Sequence, residues 1–345
     1  MVFAPGTEHL RCEYCGHEQQ LGTENTAPIV EYSFDQARAE TRRRPARELG
    51  AATSEVRCQG CGAVTLLETK AARCPFCDAP VVLAEAQGEL FVPESVLPFA
   101  VDRPKAREIF KQWVKTRWFA PNDLVLRAEA EGMDGVYLPY WTYDSRTTTS
   151  YTGRRGTWYY VTESYTDSQG RSQNRQVRKT RWWPAFGTVH VDFDDVLVAA
   201  TRALPRPLLE QLEPWDLHDL RPFEPGYLSG YLANRYDVDL ELGFGVAQER
   251  MKPVIHRAIE RDIGGDEQQV LSMRTKHDQV RFKHFLLPLW ISSFRYHERV
   301  FRFVVNARTG EAAGERPWSA VKIALAAIAA AIVIGLVVWL TQTQS

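Results

Sequence analysis

Residues 323–340 read IALAAIAAAIVIGLVVWL, eighteen apolar positions with no charge among them. As a helix rising about 1.5 Å per residue, the run spans roughly 27 Å, near the hydrocarbon thickness of a bilayer. A core helix of a soluble protein keeps a polar face, and this run has none. It therefore predicts one transmembrane helix over 320–341. Arg316 and Lys322 precede it and the residues after Leu340 carry no charge, so the positive-inside rule places 1–320 in the cytoplasm. Trp339 stands where an interfacial aromatic is expected. Ala327, Ala331 and Gly335 recur every four residues, a spacing that suits close packing of two such helices and hence a homo-oligomer.

Working outward from that anchor, the remaining residues have room for two or three domains and a sizeable core. Lys and Arg total 42 against 43 Asp and Glu, so net charge gives no general attraction to nucleic acid. The 10 Trp and 13 Tyr fall mostly after residue 110 and favour β structure there.

All six cysteines lie in the first 80 residues, in C-x-x-C pairs. Cys58-Gln-Gly-Cys61 and Cys74-Pro-Phe-Cys77 form the C-x2-C-x12-C-x2-C pattern of a zinc ribbon. Each two-residue gap lets one tight turn aim two sulfurs at one ion, and two turns complete a tetrahedron. Four thiolate ligands close the site to water, so zinc there is structural. Gly62 and Asp78 follow the second cysteine of each pair, where positive φ is needed. Val64-Thr65-Leu66-Leu67 between the pairs predicts a ribbon strand. Cys12-Glu-Tyr-Cys15 is half of a second site. Its other half lies outside the chain, or His9 or His17 joins it, or it stays free or shares metal between subunits.

The spans then divide as a partial ribbon (1–32), a charged helix and linker (33–50), a zinc ribbon (51–85), an α+β domain (90–315) and the anchor. Within the α+β domain, 103–118 is predicted helical, with Ala106, Ile109, Phe110, Trp113 and Val114 on one face. Strands are predicted at 136–141, 148–152, 158–165, 173–183 and 188–193, with a turn at 166–170. A short helix near 194–200, an irregular Pro-rich segment at 204–226, a helix at 247–262 and strands over 268–305 follow. Asn306–Gly310 closes a hairpin. Leu138-Pro-Tyr-Trp141 and Leu287-Pro-Leu-Trp290 each follow a predicted helix, which suggests two copies of one helix-plus-antiparallel-sheet unit at 100–200 and 230–315.

Phe3-Ala-Pro-Gly6, the Cys12–Glu18 segment, Glu31-Tyr32-x-Phe34, Cys74–Cys77, the two Leu-Pro-x-Trp strands and Val305-Asn306-x-x-Thr309-Gly310 together resemble one family. It is the bacterial membrane-anchored zinc-ribbon proteins often labelled "primosomal protein N′ (replication factor Y), helicase" or "transcription-factor-IIB-type zinc ribbon protein". The resemblance covers nearly the whole chain. It implies a further C-x-x-C-G-A before Phe3, absent from this sequence, that would complete the Cys12/Cys15 pair. It also implies cytoplasmic partners of the phage-shock-A or flotillin type in a membrane-stress system.

The expected function is a non-enzymatic, membrane-anchored adaptor whose ribbon end projects into the cytoplasm. The alternative is a nucleic-acid-binding or helicase-associated protein. Against a helicase, Gly-Lys occurs nowhere, so no phosphate-cradling G-x-x-x-x-G-K-[ST] is present. For nucleic acid, residues 153–181 carry seven basic side chains against Glu163 and Asp167, interleaved with Trp158, Tyr159, Tyr160 and Tyr165. The same side chains suit anionic lipid headgroups or plain solvent. No G-x-S-x-G elbow or metal triad points to catalysis, and Asp192, Asp194 and Asp195 read as a strand end or helix cap.

Overall fold

The computed structural model describes residues 1–21, 29–39, 44–45, 54–67, 73–79, 82–85, 89–90, 92–121, 123–124, 132–166, 168, 170–296 and 299–343. A small antiparallel sheet opens the chain: β1 (Val2–Phe3), β2 (His9–Arg11) and β3 (Glu18–Gln20). β4 (Tyr32–Ser33) runs into helix α1 (Phe34–Ala39). β5 (Arg44–Pro45) precedes the strands around the cysteine pairs, β6 (Ser54–Arg57), β7 (Val64–Leu67) and β8 (Val82–Glu85). β9 (Glu89–Leu90) pairs with β5, and β10 (Ser95–Val96) leads to α2 (Arg103–Lys115). Two long strands, β11 (Asp134–Thr166) and β12 (Ser172–Ala199), then make a hairpin. α3 (Arg206–Glu210), β13 (Arg221–Pro222) and β14 (Leu232–Asn234) cross back to α4 (Leu240–Ile263). β15 (Glu267–Tyr296), β16 (Arg299–Asn306) and β17 (Ala312–Gly314) follow, and α5 (Ala320–Thr343) comes last.

The class is α+β, as expected, but the sheets are mixed rather than wholly antiparallel, with β10 parallel to β15 and β14 parallel to β11. Its spine is the antiparallel trio β12-β11-β15. The separate strands expected over 136–165 and 173–193 are two continuous ones. Of the charged helix and linker expected at 33–50, α1 supplies a helix at Phe34–Ala39, and 40–50 lies outside the described residues except at 44–45. The Pro-rich segment at 204–226, expected irregular, holds α3, a single 3-10 turn at Leu217–Asp219, β13 and the start of another 3-10 turn at Pro225–Leu228. α4 begins at Leu240, seven residues before the expected start at 247, because Asp239 caps it by accepting from Leu242 N–H at 2.8 Å.

The helix expected near 194–200 is not there; these residues continue β12. Val196, Leu197 and Val198 pair with Tyr143, Thr142 and Trp141. The Asp194-Asp195 dipeptide is an irregularity in that ladder, which shifts register between Tyr143 and Ser145. Asp195 takes φ 50°, and its N–H donates to the Asp144 carboxylate at 2.8 Å. An extra residue on one strand is a β-bulge, and the neighbouring side chain satisfies the amide it frees.

One set of hydrogen bonds is made twice. Leu138 and Leu287 face each other across the antiparallel β11–β15 pair. Trp141 Nε1 donates to Val238 O at 2.9 Å, just before the cap of α4, and Trp290 Nε1 donates to Val101 O at 2.7 Å, just before the cap of α2. Asp102 caps α2 as Asp239 caps α4. Ala200 N donates to Pro139 O, and Ala307 N to Pro288 O. The amides of Asp237 and Val238 donate to Ala200 O; those of Ala100 and Val101 donate to Ala307 O. β10 runs parallel to β15 and β14 parallel to β11, with Val96 opposite Leu286 and Ala233 opposite Tyr137. The two tryptophans are core residues, 0% and 2% exposed.

α4 lies over β11, β12 and β15, burying Ala247, Met251, Ile255, Ile259 and Ile263 against Tyr143, Tyr151 and Val189. It ends at Gly264-Gly265, and the chain turns directly into β15 opposite Gly156. Gly265 has φ 81°, and a Cβ there would meet Gly156 O at 2.7 Å, so glycine is required by both conformation and space. Beyond Gly156, β11 and β12 continue alone. Residues 157–166 and 172–181 make a two-stranded ribbon, about 33 Å long at roughly 3.3 Å per residue. Among the described residues, the outer edge of β12 pairs with no other strand.

α5 has 24 residues and its apolar side chains stand exposed rather than packed on the domain. At about 1.5 Å per residue it is roughly 36 Å long. It is long and apolar enough to cross a membrane. Its foot is fixed: Lys322 Nζ donates to Ala120 O at 2.7 Å, Ser319 N to Phe119 O, and Arg316 stacks over Trp318.

Candidate metal centre

The four sulfurs of Cys58, Cys61, Cys74 and Cys77 lie within 4.8 Å of one another. Cys58 and Cys77 are 3.4 Å apart, Cys61 and Cys74 3.7 Å. Four thiolates each about 2.3 Å from one ion sit roughly 3.8 Å apart, so the arrangement fits a tetrahedral zinc. Each pair is held by a local turn. Cys58 N donates to Ala63 O and Gly62 N to Cys58 O; Cys74 N donates to Ala79 O and Asp78 N to Cys74 O. Gly62 at φ 76° and Asp78 at φ 57° occupy the positions where positive φ was expected. Gly60 N–H donates to the Cys58 sulfur at 3.3 Å. A hydrogen bond with Cys74 holds the Cys61 thiol down to about 5. The same bond and burial push Cys74 up, and burial pushes Cys77 up to about 11. Thiols this close cannot all ionise without a cation among them, which is the electrostatic demand a divalent metal meets.

The centre does not stand on a projecting arm. Phe76 is fully buried, and Cys58, Ala63, Cys74 and Cys77 share its cluster with Leu97, Val304 and Ala313. Arg302 Nε donates to Phe76 O at 2.7 Å and Ser293 to Pro75 O at 2.8 Å. β7 joins the main sheet through β14, and Asn234 Nδ2 donates to Val64 O at 2.7 Å. What projects is the β11–β12 ribbon.

Cys12 and Cys15 have the same turn: Cys12 N donates to His17 O, Gly16 N to Cys12 O, and Gly16 has φ 73°. Amides of Cys15 and Tyr14 lower the Cys12 thiol. Among the described residues no third ligand atom stands with the pair, and neither His9 nor His17 completes it.

Sequence reading missed a second group. The carboxylates of Glu31, Asp144 and Asp194 lie within 4.8 Å of one another, where β4, β11 and β12 meet β15. Lys283 is set among them, 3.2 Å from Glu31 and 2.6 Å from Asp195. Burial raises the Asp144 carboxyl to about 6, with Glu31 and Asp195 adding to it against the Asp195 amide. The arrangement is a partly exposed charge cluster where these strands meet. Only strand register brings these residues together, so no sequence spacing signals them. Because the folded value of Asp144 exceeds the ordinary carboxyl value, its ionisation opposes folding: stability falls as pH rises from about 4 to 6. Asp144→Asn is expected to flatten that part of the profile and be modestly more stable at pH 7. Urea unfolding at pH 4.5 and pH 7 checks this; an unchanged slope contradicts it.

Fold and site thus define an α+β protein with a four-cysteine group that could hold a metal ion and one apolar helix long enough to cross a membrane. Uncharacterized protein YdjG of Bacillus subtilis (strain 168) is similar, 27% identical over 246 residues that make up 70% of this chain and 69% of that protein. No family model matches the chain. No solved structure matches it either.

Proposed function

We propose that this protein is a non-enzymatic adaptor, anchored in the membrane by α5, with residues 1–320 in the cytoplasm. Zinc at Cys58, Cys61, Cys74 and Cys77 makes a zinc ribbon that braces the domain, and its closed thiolate set suits structure rather than chemistry. The domain itself is two copies of one helix-and-sheet unit, a reading supported by the doubled hydrogen bonds around Trp141 and Trp290.

The observation that carries the adaptor reading is the projecting ribbon. Trp158, Tyr160, Tyr165, Trp183 and Phe186 are exposed on it or at its root, Phe186 at 82%. Exposed aromatics beside a free strand edge are what a partner's strand or loop docks against. Phage-shock-A-type or flotillin-like proteins are the partners implied by the resemblance. The Ala327/Ala331/Gly335 stripe on α5 supports self-association within the membrane.

The test replaces Tyr160 with a photo-crosslinking residue in intact cells. Capture of one defined protein, lost when residues 158–180 are replaced by a short turn while zinc content stays, supports the adaptor. Capture of nucleic acid overturns it. That second reading has its own observation: Arg178 stacks over Trp158 at 4.0 Å, Arg181 over Tyr159 at 5.1 Å and Arg175 over Tyr165 at 5.5 Å. Such a cation–aromatic array suits single strands. It requires salt-sensitive affinity for single-stranded DNA that charge reversal of Arg175, Arg178 and Lys179 removes.

A further inference from the structure

A cavity of about 350 Å³ opens between α4, α3 and the β11–β12 sheet. That is within the range of small-molecule sites, roughly 300–1,000 Å³. Its walls are mostly apolar, with Val198, Leu209, Val238 and Val246 among them. Two buried polar atoms on its lining residues have no hydrogen-bond partner among the described residues: the hydroxyl of Tyr140 and Nε of Arg250. Tyr140 is 2% exposed, and burial keeps its phenol protonated. Arg250 spends its other nitrogens on Leu197 O, Glu213 at 2.9 Å and Glu210 at 3.0 Å. An N–H is only a donor and the phenol is free to donate. A buried donor left unpaired is destabilising, so both atoms call for an acceptor.

The doubled architecture sharpens the point. Counted from the capping aspartates, Arg250 stands on α4 where Trp113 stands on α2. On α2 the indole packs into the sheet, 5.1 Å from Phe303 and against Gly314. On α4 an arginine drawn aside by two glutamates takes that place, and the sheet beside it carries Tyr140 where the other half has Leu289. One half fills this space with an aromatic ring; the other leaves it open beside residues that carry unpaired buried donors.

Charge narrows the ligand. Arg202, Arg206 and Arg250 surround the cavity with Glu210 and Glu213, leaving one positive charge over. We propose that this cavity binds a small amphipathic monoanion: an apolar body in the pocket, and one carboxylate accepting from Tyr140 and Arg250. Nothing in this site depends on the adaptor reading.

The test uses the full chain in nanodiscs, with empty nanodiscs as reference, titrated calorimetrically with octanoate and separately with 1-octanol. Octanoate should bind at one site per chain and 1-octanol at least tenfold more weakly. Tyr140→Phe should weaken octanoate about tenfold or more, as expected for a hydrogen bond to a charged group. Val246→Trp, which fills the cavity, should abolish binding. Tyr140→Phe changes no volume and keeps the test valid even where the tryptophan variant does not fold. Absence of octanoate binding overturns the proposal. So does binding that Tyr140→Phe leaves unchanged, or equal affinity for the alcohol.

Discussion

Replacing Cys74 with serine is expected to take bound zinc from about one ion per chain to near zero and to loosen the sheet from β6 to β14. Cys74 is 4% exposed and packs in the same cluster as Phe76, so solvent has little access to replace a lost thiolate. Apparent zinc-binding free energies of structural thiolate sites are about 10–16 kcal/mol at neutral pH, much of it felt as folding free energy. Metal analysis and hydrogen exchange over 54–67 read the two effects, and Cys12→Ser serves as comparison because its pair has no third ligand atom with it among the described residues. Zinc content unchanged in Cys74→Ser would remove the metal assignment. Acid should act in the same direction, since protons compete with zinc for the thiolates.

Removal of residues 320–343 is expected to move the protein from the membrane fraction to the soluble one with its zinc retained. Among the described residues α5 is tied to the domain at its foot, where Lys322 donates to Ala120 O, and Ser319, which stays in the truncated chain, keeps its bond to Phe119 O. Over Ala320–Val337 its apolar side chains stand exposed among the described residues. A single charge tests the same point more finely. Ile332→Arg, near the helix centre, should cost about 2.5–3.5 kcal/mol of insertion free energy. Carbonate extraction reads both variants. A truncated chain that still pellets with membrane would mean that another surface holds it there, with the basic ribbon the first to examine.

Some of this molecule could be read without coordinates because the causes are local. Eighteen consecutive apolar residues make α5 whatever surrounds them. The C-x-x-C spacing builds each cysteine turn from hydrogen bonds that close within six residues, and it calls for Gly62 and Asp78 at positive φ. The spacing of Ala106, Phe110 and Val114 gives α2 its buried face, and Asp102 gives its start. The paired Leu-Pro-x-Trp motifs were visible too, because each repeats a short pattern.

The rest was decided by partners far along the chain. β11 carries Pro139, Gly153 and Gly156, and β12 carries Pro184 and Gly187, residues that locally argue for breaks. They are continuous because each finds its ladder on the other and β11 finds a second on β15. Asp194-Asp195 looked like a helix cap and is a bulge, because the carboxylate that satisfies it comes from Asp144 on the neighbouring strand. Glu31 and Lys283 meet only because β4 pairs with β15. The ribbon projects because α4 ends at Gly264 and β15 starts opposite Gly156, a matter of relative lengths. Trp113 and Arg250 look unrelated in sequence; only their common place on two matching helices makes one a plug and the other the wall of a cavity. Local hydrogen bonds and unbroken apolarity are written in neighbouring residues, whereas register, bulges and cavities are set by which distant strand supplies the missing bond or the missing volume.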